Sequence, residues 1–222
     1  MGIVSRAQSR YADRAVSKRG LMDRRLLRWA RAQSRRRGSG HGMPVVWLFT
    51  DSRRLPDPRS AVAHLPRGLA GVVFRHDEAP NRLALGQDLA RLCRARRLAL
   101  VVAGDPRLAA RLGAGVHLRG GQWPGLVRPK PGLVTSSAHD GVELRRARRA
   151  GADLAFLSPA FPTRSHPGAP ALGPIRWIGL AGAAGLPVAA LGGIDGLTVR
   201  RLPRHVCRAA AAITALGPPV AA

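Results

Sequence analysis

The sequence predicts a compact (β/α)8 barrel of the TIM type, preceded by a basic N-terminal extension. From residue 44 onward, eight short apolar runs alternate with segments of helical character, which is typical of βαβ units and a parallel sheet. An open doubly wound sheet gives a similar alternation. The residues suited to chemistry follow directly after the runs, however, and in a barrel these positions share the C-terminal face. We therefore expect an extension over residues 1–43, flexible or helical, and the barrel over residues 44–222.

The eight runs are apolar along most of their length, as strands buried on both faces require. They are Val45–Thr50, Gly71–Phe74, Leu98–Ala103, Gly115–Leu118, Gly132–Thr135, Asp153–Ser158, Pro187–Leu191 and Val206–Ile213. Helices are predicted at Ser60–Leu65, Asn81–Arg96, Arg107–Leu112, Asp140–Ala150, Pro174–Ala184 and Gly196–Leu202. The prolines between residues 120 and 131 make a helix there poor or absent. The few residues after the eighth run leave the final helix missing or vestigial.

Composition limits the classes of function. The 222 residues hold 37 Lys and Arg against 12 Asp and Glu, a net charge of +25, which alone would favour a polyanionic partner. Only two of these cations are lysines, and a coding bias towards G and C produces the same mixture of Arg, Ala, Gly and Pro. One Tyr and four Phe provide no stacking platform for nucleic acid, which we rank last as a partner. We expect a small-molecule phosphate substrate and leave homo-oligomer formation open.

The extension contains a segment from Leu21 to Arg37 in which apolar residues and arginines interleave, as in a basic amphipathic helix. One interpretation is an arm that binds nucleic acid or a membrane surface. The other is a solvated tail, or a helix lying over one end of the barrel. We favour the second, because charged runs are usually solvated. No apolar stretch is long enough to span a bilayer or to act as a secretory signal, so we expect a cytoplasmic protein without membrane contact.

Two loops carry the strongest chemical signals, and the first follows the sixth run. It reads Ser158-Pro-Ala-Phe-Pro-Thr-Arg-Ser-His-Pro-Gly-Ala-Pro-Ala-Leu-Gly-Pro174 and holds five prolines. Such a stiff loop positions Thr163, Ser165 and His166 at low entropic cost, and their hydroxyl and ring N–H groups can donate to an anion. The alternative is a proline-rich surface loop that binds nothing.

The second signal is the seventh run with the loop that follows it, which together read Leu186-Pro-Val-Ala-Ala-Leu-Gly-Gly-Ile-Asp195. Gly192 and Gly193 let backbone amides approach a phosphate, and the dipole of the next helix adds attraction. A glycine pair alone also makes a simple turn. In a barrel, the loops after strands seven and eight are the usual phosphate site, and Thr214 follows the eighth run. Together these residues predict a phosphate site.

These two loops resemble the thiamine phosphate synthase/TenI family. The resemblance lies in Ser158-Pro-x-Phe-Pro-Thr163 and in Pro187-Val-x-Ala-Leu-Gly-Gly-Ile194, with Leu-Gly between them. Gly115-Val116-His117-Leu118 and Ser137-Ala138-His139-Asp140 are similar to the family's fourth and fifth strands. The resemblance covers roughly residues 45–216. It implies a transferase of thiamine biosynthesis that joins a hydroxymethylpyrimidine diphosphate to a thiazole phosphate, with loss of diphosphate and with Mg2+ as cofactor.

The resemblance also assigns the residues of the thiazole-phosphate side. Thr163 and Ser165 stand where two hydroxyls are expected, and Gly192-Gly193 stand as the amide cradle. Thr214 replaces a serine. These residues are therefore the candidates for binding the substrate phosphate.

The pyrimidine-diphosphate side matches in part. The family's Gln-x-Arg-Glu-Lys reads Val73-Phe74-Arg75-His76-Asp77 here, which keeps Arg75 as a catalytic candidate and offers His76 to a phosphate. Ser137 also remains as a catalytic candidate. The family's Asn-Asp after the third strand is replaced, so Asp105 is the carboxylate that could meet Mg2+ after a register shift. Gln122 replaces the second acidic ligand.

His166 takes the place of a lysine in the proline-rich loop and is the third catalytic candidate. An imidazole there could transfer protons, since it titrates near neutrality. That property favours the TenI branch, which isomerises a thiazole phosphate. Three hypotheses stay open: a thiamine phosphate synthase-like enzyme, which ranks first, a TenI-like thiazole tautomerase, and a non-catalytic barrel that binds a phosphorylated ligand. Only the first calls for Mg2+.

Overall fold

The structure, a computed structural model, describes residues 22–37, 42–125, 132–163, 168 and 170–217. Eight parallel strands in this part of the chain close into a barrel, each pairing with the next and the last with the first. They are β1 (Val46–Phe49), β2 (Ala70–Phe74), β3 (Ala99–Ala103), β4 (Gly115–Leu118), β5 (Val134–Ala138), β6 (Leu154–Leu157), β7 (Val188–Ala190) and β8 (Cys207–Ala212). The predicted (β/α)8 barrel is confirmed.

Helices of the described residues surround the strands. They are α1 (Arg24–Arg37), α2 (Arg59–His64), α3 (Arg82–Arg96), α4 (Pro106–Leu112), α5 (Gly141–Arg149) and α6 (Gly173–Gly182), with short 3-10 segments at Thr198–Arg201 and Thr214–Leu216. The helix predicted at Gly196–Leu202 is thus a single 3-10 turn. Its start is fixed by the Asp195 carboxylate, which accepts from the amides of Leu197 and Thr198, each at 2.8 Å, and Pro203 prevents its continuation.

Strand β5 continues three residues beyond the predicted end at Thr135. The added serines would be unfavourable in a buried strand if their hydroxyls lacked partners. Here Ser136 Oγ accepts from the amide of Gly121 at 2.9 Å, and Ser137 Oγ accepts from that of Gly120 at 3.1 Å. The strand therefore accommodates both serines and carries Ser137 towards the mouth of the barrel.

The interior of the barrel is filled by side chains rather than open. Trp47 and Phe49 of β1 pack edge-on against Phe156 of β6, with ring centroids 5.4 and 4.8 Å apart. Strands β7 and β8 contribute only alanines at this level, which leaves room for the three rings. A Cβ on Gly71 would overlap the ring of Trp47, so β2 needs a glycine there. The packed interior confines any ligand to the mouth.

Helix α1 belongs to the outer layer of the barrel. Leu26, Trp29 and Ala30 are buried on one of its faces. At its start, the amide of Asp23 donates to the carbonyl of Ala215, which follows β8, at 2.9 Å. Near its end, Gln33 Nε2 donates to the carbonyl of Cys207, at the start of β8, at 3.1 Å. The helix therefore runs antiparallel to β8, where the helix after the eighth strand would otherwise lie.

The other face of α1 is basic and exposed. Its exposed arginines are Arg24, Arg25, Arg28, Arg31, Arg35 and Arg36. The amphipathic helix expected in the extension therefore exists over 24–37, and it packs beside a strand instead of lying over one end of the barrel or in solvent. The proposed boundary at residue 44 stays a prediction, and residues 1–21 lie outside the described part. No described helix is long and apolar enough to cross a membrane.

Candidate active site

The loop after β7 packs closely against the loop after β6. Gly192 and Gly193 have φ angles of 85° and 63°, the left-handed region that glycine favours. A Cβ on Gly192 would lie 2.8 Å from Pro159, and one on Gly193 would lie 2.5 Å from the carbonyl oxygen of Pro162. The amide of Phe161 donates to the carbonyl of Gly192 at 3.0 Å. The predicted glycine pair thus has a packing role as well as a candidate role in binding.

The amides of this glycine pair are available to a ligand. No acceptor within the described residues receives the amide hydrogen of Gly192 or Gly193. The hydroxyl of Thr198 donates to the carbonyl of Gly193 at 2.8 Å and so holds the peptide in place. Successive amides in a turn of this kind form a concave arrangement that binds anions. The two amides are thus candidate donors to an anionic oxygen.

Asp23 links the loops after β7 and β8. Its Oδ2 accepts from the amide of Gly196 at 2.7 Å, and its amide donates to the carbonyl of Ala215 at 2.9 Å. Its Oδ1 accepts from the amide of Leu26 at 3.0 Å and caps α1. Sequence reasoning missed this link. An aspartate before an amphipathic helix does predict a cap, but nothing in the sequence identifies its distant partners.

The other candidates on this side lie in adjacent loops. Thr163, after β6, is half-buried, and Thr214, which begins the 3-10 segment after β8, is exposed. Ser165 and His166 lie outside the described residues. The structure therefore brings Thr163, the glycine pair and Thr214 to three neighbouring loops on the C-terminal face.

Arg75 and His117 lie near the centre of the mouth. The guanidinium carbon of Arg75 is 5.8 Å from the ring centre of Phe49. The buried His117 places Nδ1 2.9 Å from Thr135 Oγ1 and packs edge-on to Phe49 at 5.4 Å. Sequence reasoning did not select His117 as a site residue, although its signal was present: it is the polar residue of an otherwise apolar strand. Burial, followed by the charges of Arg75 and Arg119, lowers the pKa of His117 to about 3.

This neutral histidine should make stability depend on pH. The lowered pKa means that the unfolded chain binds a proton at this residue between pH 6.5 and about 3, and the folded chain does not. The stabilisation is therefore complete above pH 6.5 and is lost as the pH falls through this window. We expect the free energy of unfolding in urea to lose up to about 1.4 kcal/mol per pH unit from this group. His117→Gln should reduce that slope, and an unchanged slope would contradict a buried neutral ring.

His76 lies beside Arg75 but is enclosed. Its Nδ1 is 3.0 Å from Thr50 Oγ1, its Nε2 is 3.1 Å from the carbonyl oxygen of Leu55, and its ring stacks on Phe74 at 5.6 Å. Both ring nitrogens therefore have partners within the chain, and neither is left for a phosphate in this arrangement. These contacts instead hold the loop after β1 against the end of β2.

The acidic residues at the mouth are bonded to arginine side chains and to a backbone amide. Asp105 Oδ1 accepts from the amide of Leu108 at 2.9 Å and caps α4, while its Oδ2 accepts from Arg82 Nη1 at 2.9 Å. Asp77 pairs with Arg82 at 3.1 Å and also with Arg119. Among the described residues, no group of three or more His, Cys, Asp or Glu side chains could hold a metal ion. Mg2+ requires near-octahedral oxygen ligands that include carboxylates, so the described residues do not fit the ion that the resemblance implies.

Fold and site together define a TIM-type barrel with a candidate phosphate cradle on its C-terminal face. The thiamine monophosphate synthase family (TMP-TENI) matches residues 48–216. The chain is similar to the thiamine-phosphate synthase of Chromobacterium violaceum, 36% identical over 144 residues that cover 60% of this chain and 68% of that protein. It is 32% identical to the thiamine-phosphate synthase of Marinobacter nauticus over 173 residues, which cover 72% and 77% of the two chains. The chain belongs to the thiamine monophosphate synthase family.

A solved structure supports the fold independently. Thiamine phosphate pyrophosphorylase from Pyrococcus furiosus superposes with a TM-score of 0.64 at 23% identity, over 77% of this chain and 85% of that one. Similarity at this level of identity establishes the common barrel. The chemistry has to be argued from the site.

Proposed function

We propose that this protein is a thiamine phosphate synthase-like enzyme of thiamine biosynthesis. It joins a hydroxymethylpyrimidine diphosphate to a thiazole phosphate and releases diphosphate. The observation that carries the proposal is the cradle on the C-terminal face, where the amides of Gly192 and Gly193 have no acceptor among the described residues. Membership of the thiamine monophosphate synthase family supports the reaction class.

The thiazole phosphate binds at the loops after β6, β7 and β8. The amides of Gly192 and Gly193 donate to its phosphate oxygens, and the hydroxyls of Thr163, Ser165 and Thr214 complete the set of donors. Binding by fixed backbone groups holds the thiazole ring towards the centre of the mouth. The reaction of the thiazole with the bound pyrimidine diphosphate therefore becomes effectively unimolecular. The packed barrel beneath excludes deeper binding.

The diphosphate of the second substrate lies near Arg75. This guanidinium has no carboxylate partner among the described residues, so its charge is available as negative charge builds on the departing oxygens. Ser137 lies on the inner face of β5 and can hydrogen-bond a substrate at the mouth. His166 supplies a group that exchanges protons near neutral pH.

Titration of the purified protein with thiazole phosphate in a calorimeter tests the binding half of this proposal. We expect saturable binding of one ligand per chain without the pyrimidine substrate, because the cradle exists in the chain alone. Absence of binding at any attainable concentration would contradict the proposed thiazole site.

A second candidate function is a TenI-like thiazole tautomerase. The carboxylates of Asp77 and Asp105 are paired with arginines and do not fit Mg2+. This favours the tautomerase, because isomerisation moves a proton and releases no diphosphate. Following the thiazole phosphate by NMR in the absence of the pyrimidine substrate separates the two functions. Conversion between thiazole isomers supports the tautomerase, whereas an unchanged spectrum argues against it.

A further inference from the structure

We propose that the mouth of this barrel binds a diphosphate-type anion through arginine side chains, without a divalent cation. The residues concerned are Arg75, Arg82 and Arg119, which we call the arginine cluster. The inference rests on the proposed function, because it concerns the group that the transferase reaction releases. It begins from the disagreement between the described acidic residues and the Mg2+ that the family implies.

Arg82 occupies the space between the two carboxylates at the mouth. Its Nη1 lies 2.9 Å from Asp105 Oδ2, and its Nη2 lies 3.1 Å from Asp77 Oδ1 and 3.3 Å from the carbonyl oxygen of Ala103. Its side chain is only 20% exposed and its guanidinium carbon lies 6.0 Å from the ring centre of Phe74. A divalent ion bridging these carboxylates would have to displace a partly buried, triply bonded guanidinium. The guanidinium of Arg82 therefore supplies the positive charge between the two carboxylates in place of a metal ion.

The other two arginines of the cluster are available to a ligand. Among the described residues, Arg75 has no carboxylate partner, and Arg119 pairs with the carboxylate of Asp77 alone while its side chain is 62% exposed. The guanidinium of Arg75 lies over the ring of Phe49, which also contacts His117, and that of Arg119 lies against Gly104, which follows β3. Three guanidinium groups against the carboxylates of Asp77 and Asp105 leave one net positive charge before any ligand arrives.

The chemistry of guanidinium suits this ligand. Its planar set of N–H donors binds phosphate oxygens in pairs, and it is always charged. The exposed ion pair between Arg119 and Asp77 contributes little to stability, so Arg119 can turn to a ligand at small cost. Arg75 and Arg119 would offset part of the negative charge of a diphosphate, with Arg82 keeping the two carboxylates from repelling it.

Calorimetric titration with inorganic pyrophosphate, in the presence of saturating thiazole phosphate, tests the inference. We expect binding in excess EDTA to be at least as tight as in excess MgCl2. Arg119→Ala should weaken binding about tenfold or more. Arg149→Ala removes the same charge from the exposed last turn of α5 and should change the affinity less than about twofold.

Three outcomes would overturn the inference. They are pyrophosphate binding that requires MgCl2, equal effects of Arg119→Ala and Arg149→Ala, and stoichiometric Mn2+ binding to the protein alone in an electron paramagnetic resonance titration. The proposed function fails separately, if the protein binds no thiazole phosphate. Thiazole phosphate binding combined with Mg2+-dependent pyrophosphate binding would leave the proposed function standing and refute the metal-free site.

Discussion

Replacing Leu26 with alanine is expected to lower the free energy of unfolding by about 2–5 kcal/mol. The residue precedes every strand of the barrel, yet its side chain is fully buried in the main hydrophobic core. The substitution leaves a cavity between α1 and the strand layer, and the surrounding core can collapse into it only in part. Urea denaturation followed by circular dichroism measures the loss.

Arg28→Ala is the matched control for this prediction. Arg28 lies on the same helix but on its exposed face, so we expect a change within about 0.5 kcal/mol. If the two substitutions changed the free energy of unfolding equally little, α1 would not be part of the outer layer of the barrel.

Gly193→Ala is expected to weaken thiazole phosphate binding about a hundredfold, because two amide hydrogen bonds to a charged oxygen would be disturbed together. A Cβ at this position would meet the carbonyl oxygen of Pro162 at 2.5 Å in a backbone region that alanine rarely adopts. The loop after β7 must therefore shift and carry the amides of Gly192 and Gly193 away from the ligand. The strain also lowers stability by about 1–3 kcal/mol, so affinity is measured where the variant is fully folded.

Gly179→Ala provides the control for this glycine substitution. Gly179 lies in α6, and a Cβ there would meet no atom within 4 Å. We expect unchanged thiazole phosphate affinity and a gain in stability of up to about 1 kcal/mol, from helix propensity. Equal affinities for Gly193→Ala and the wild type would exclude the cradle as the phosphate site.

The barrel and the glycine turn after β7 could be predicted because their signals are local. Apolar runs such as Leu98–Ala103 determine their own strands, and the glycine pair after β7 shows where the backbone must bend. Both features need only neighbouring residues and the rule that strand ends share one face. The strand order and the loops that meet at the mouth follow from them.

Other parts of the site depend on contacts between distant residues. The helix cap at Asp23 can be predicted from the sequence. Its hydrogen bonds to Gly196 and Ala215, however, depend on the position of α1 beside β8. Asp105 follows a strand, as a metal ligand would, and only the structure shows that Arg82 holds it. The enclosure of His76 likewise comes from Leu55, in a loop that no pattern places there.

The transferase reaction proposed for this barrel can be tested directly. The most direct measurement is the formation of thiamine phosphate, followed by mass spectrometry, from hydroxymethylpyrimidine diphosphate and thiazole phosphate with the purified full chain. We expect product in amounts that exceed the enzyme many times over, in MgCl2 and in EDTA alike. No product under either condition, with thiazole phosphate bound, would contradict the claim and leave a tautomerase or a non-catalytic barrel.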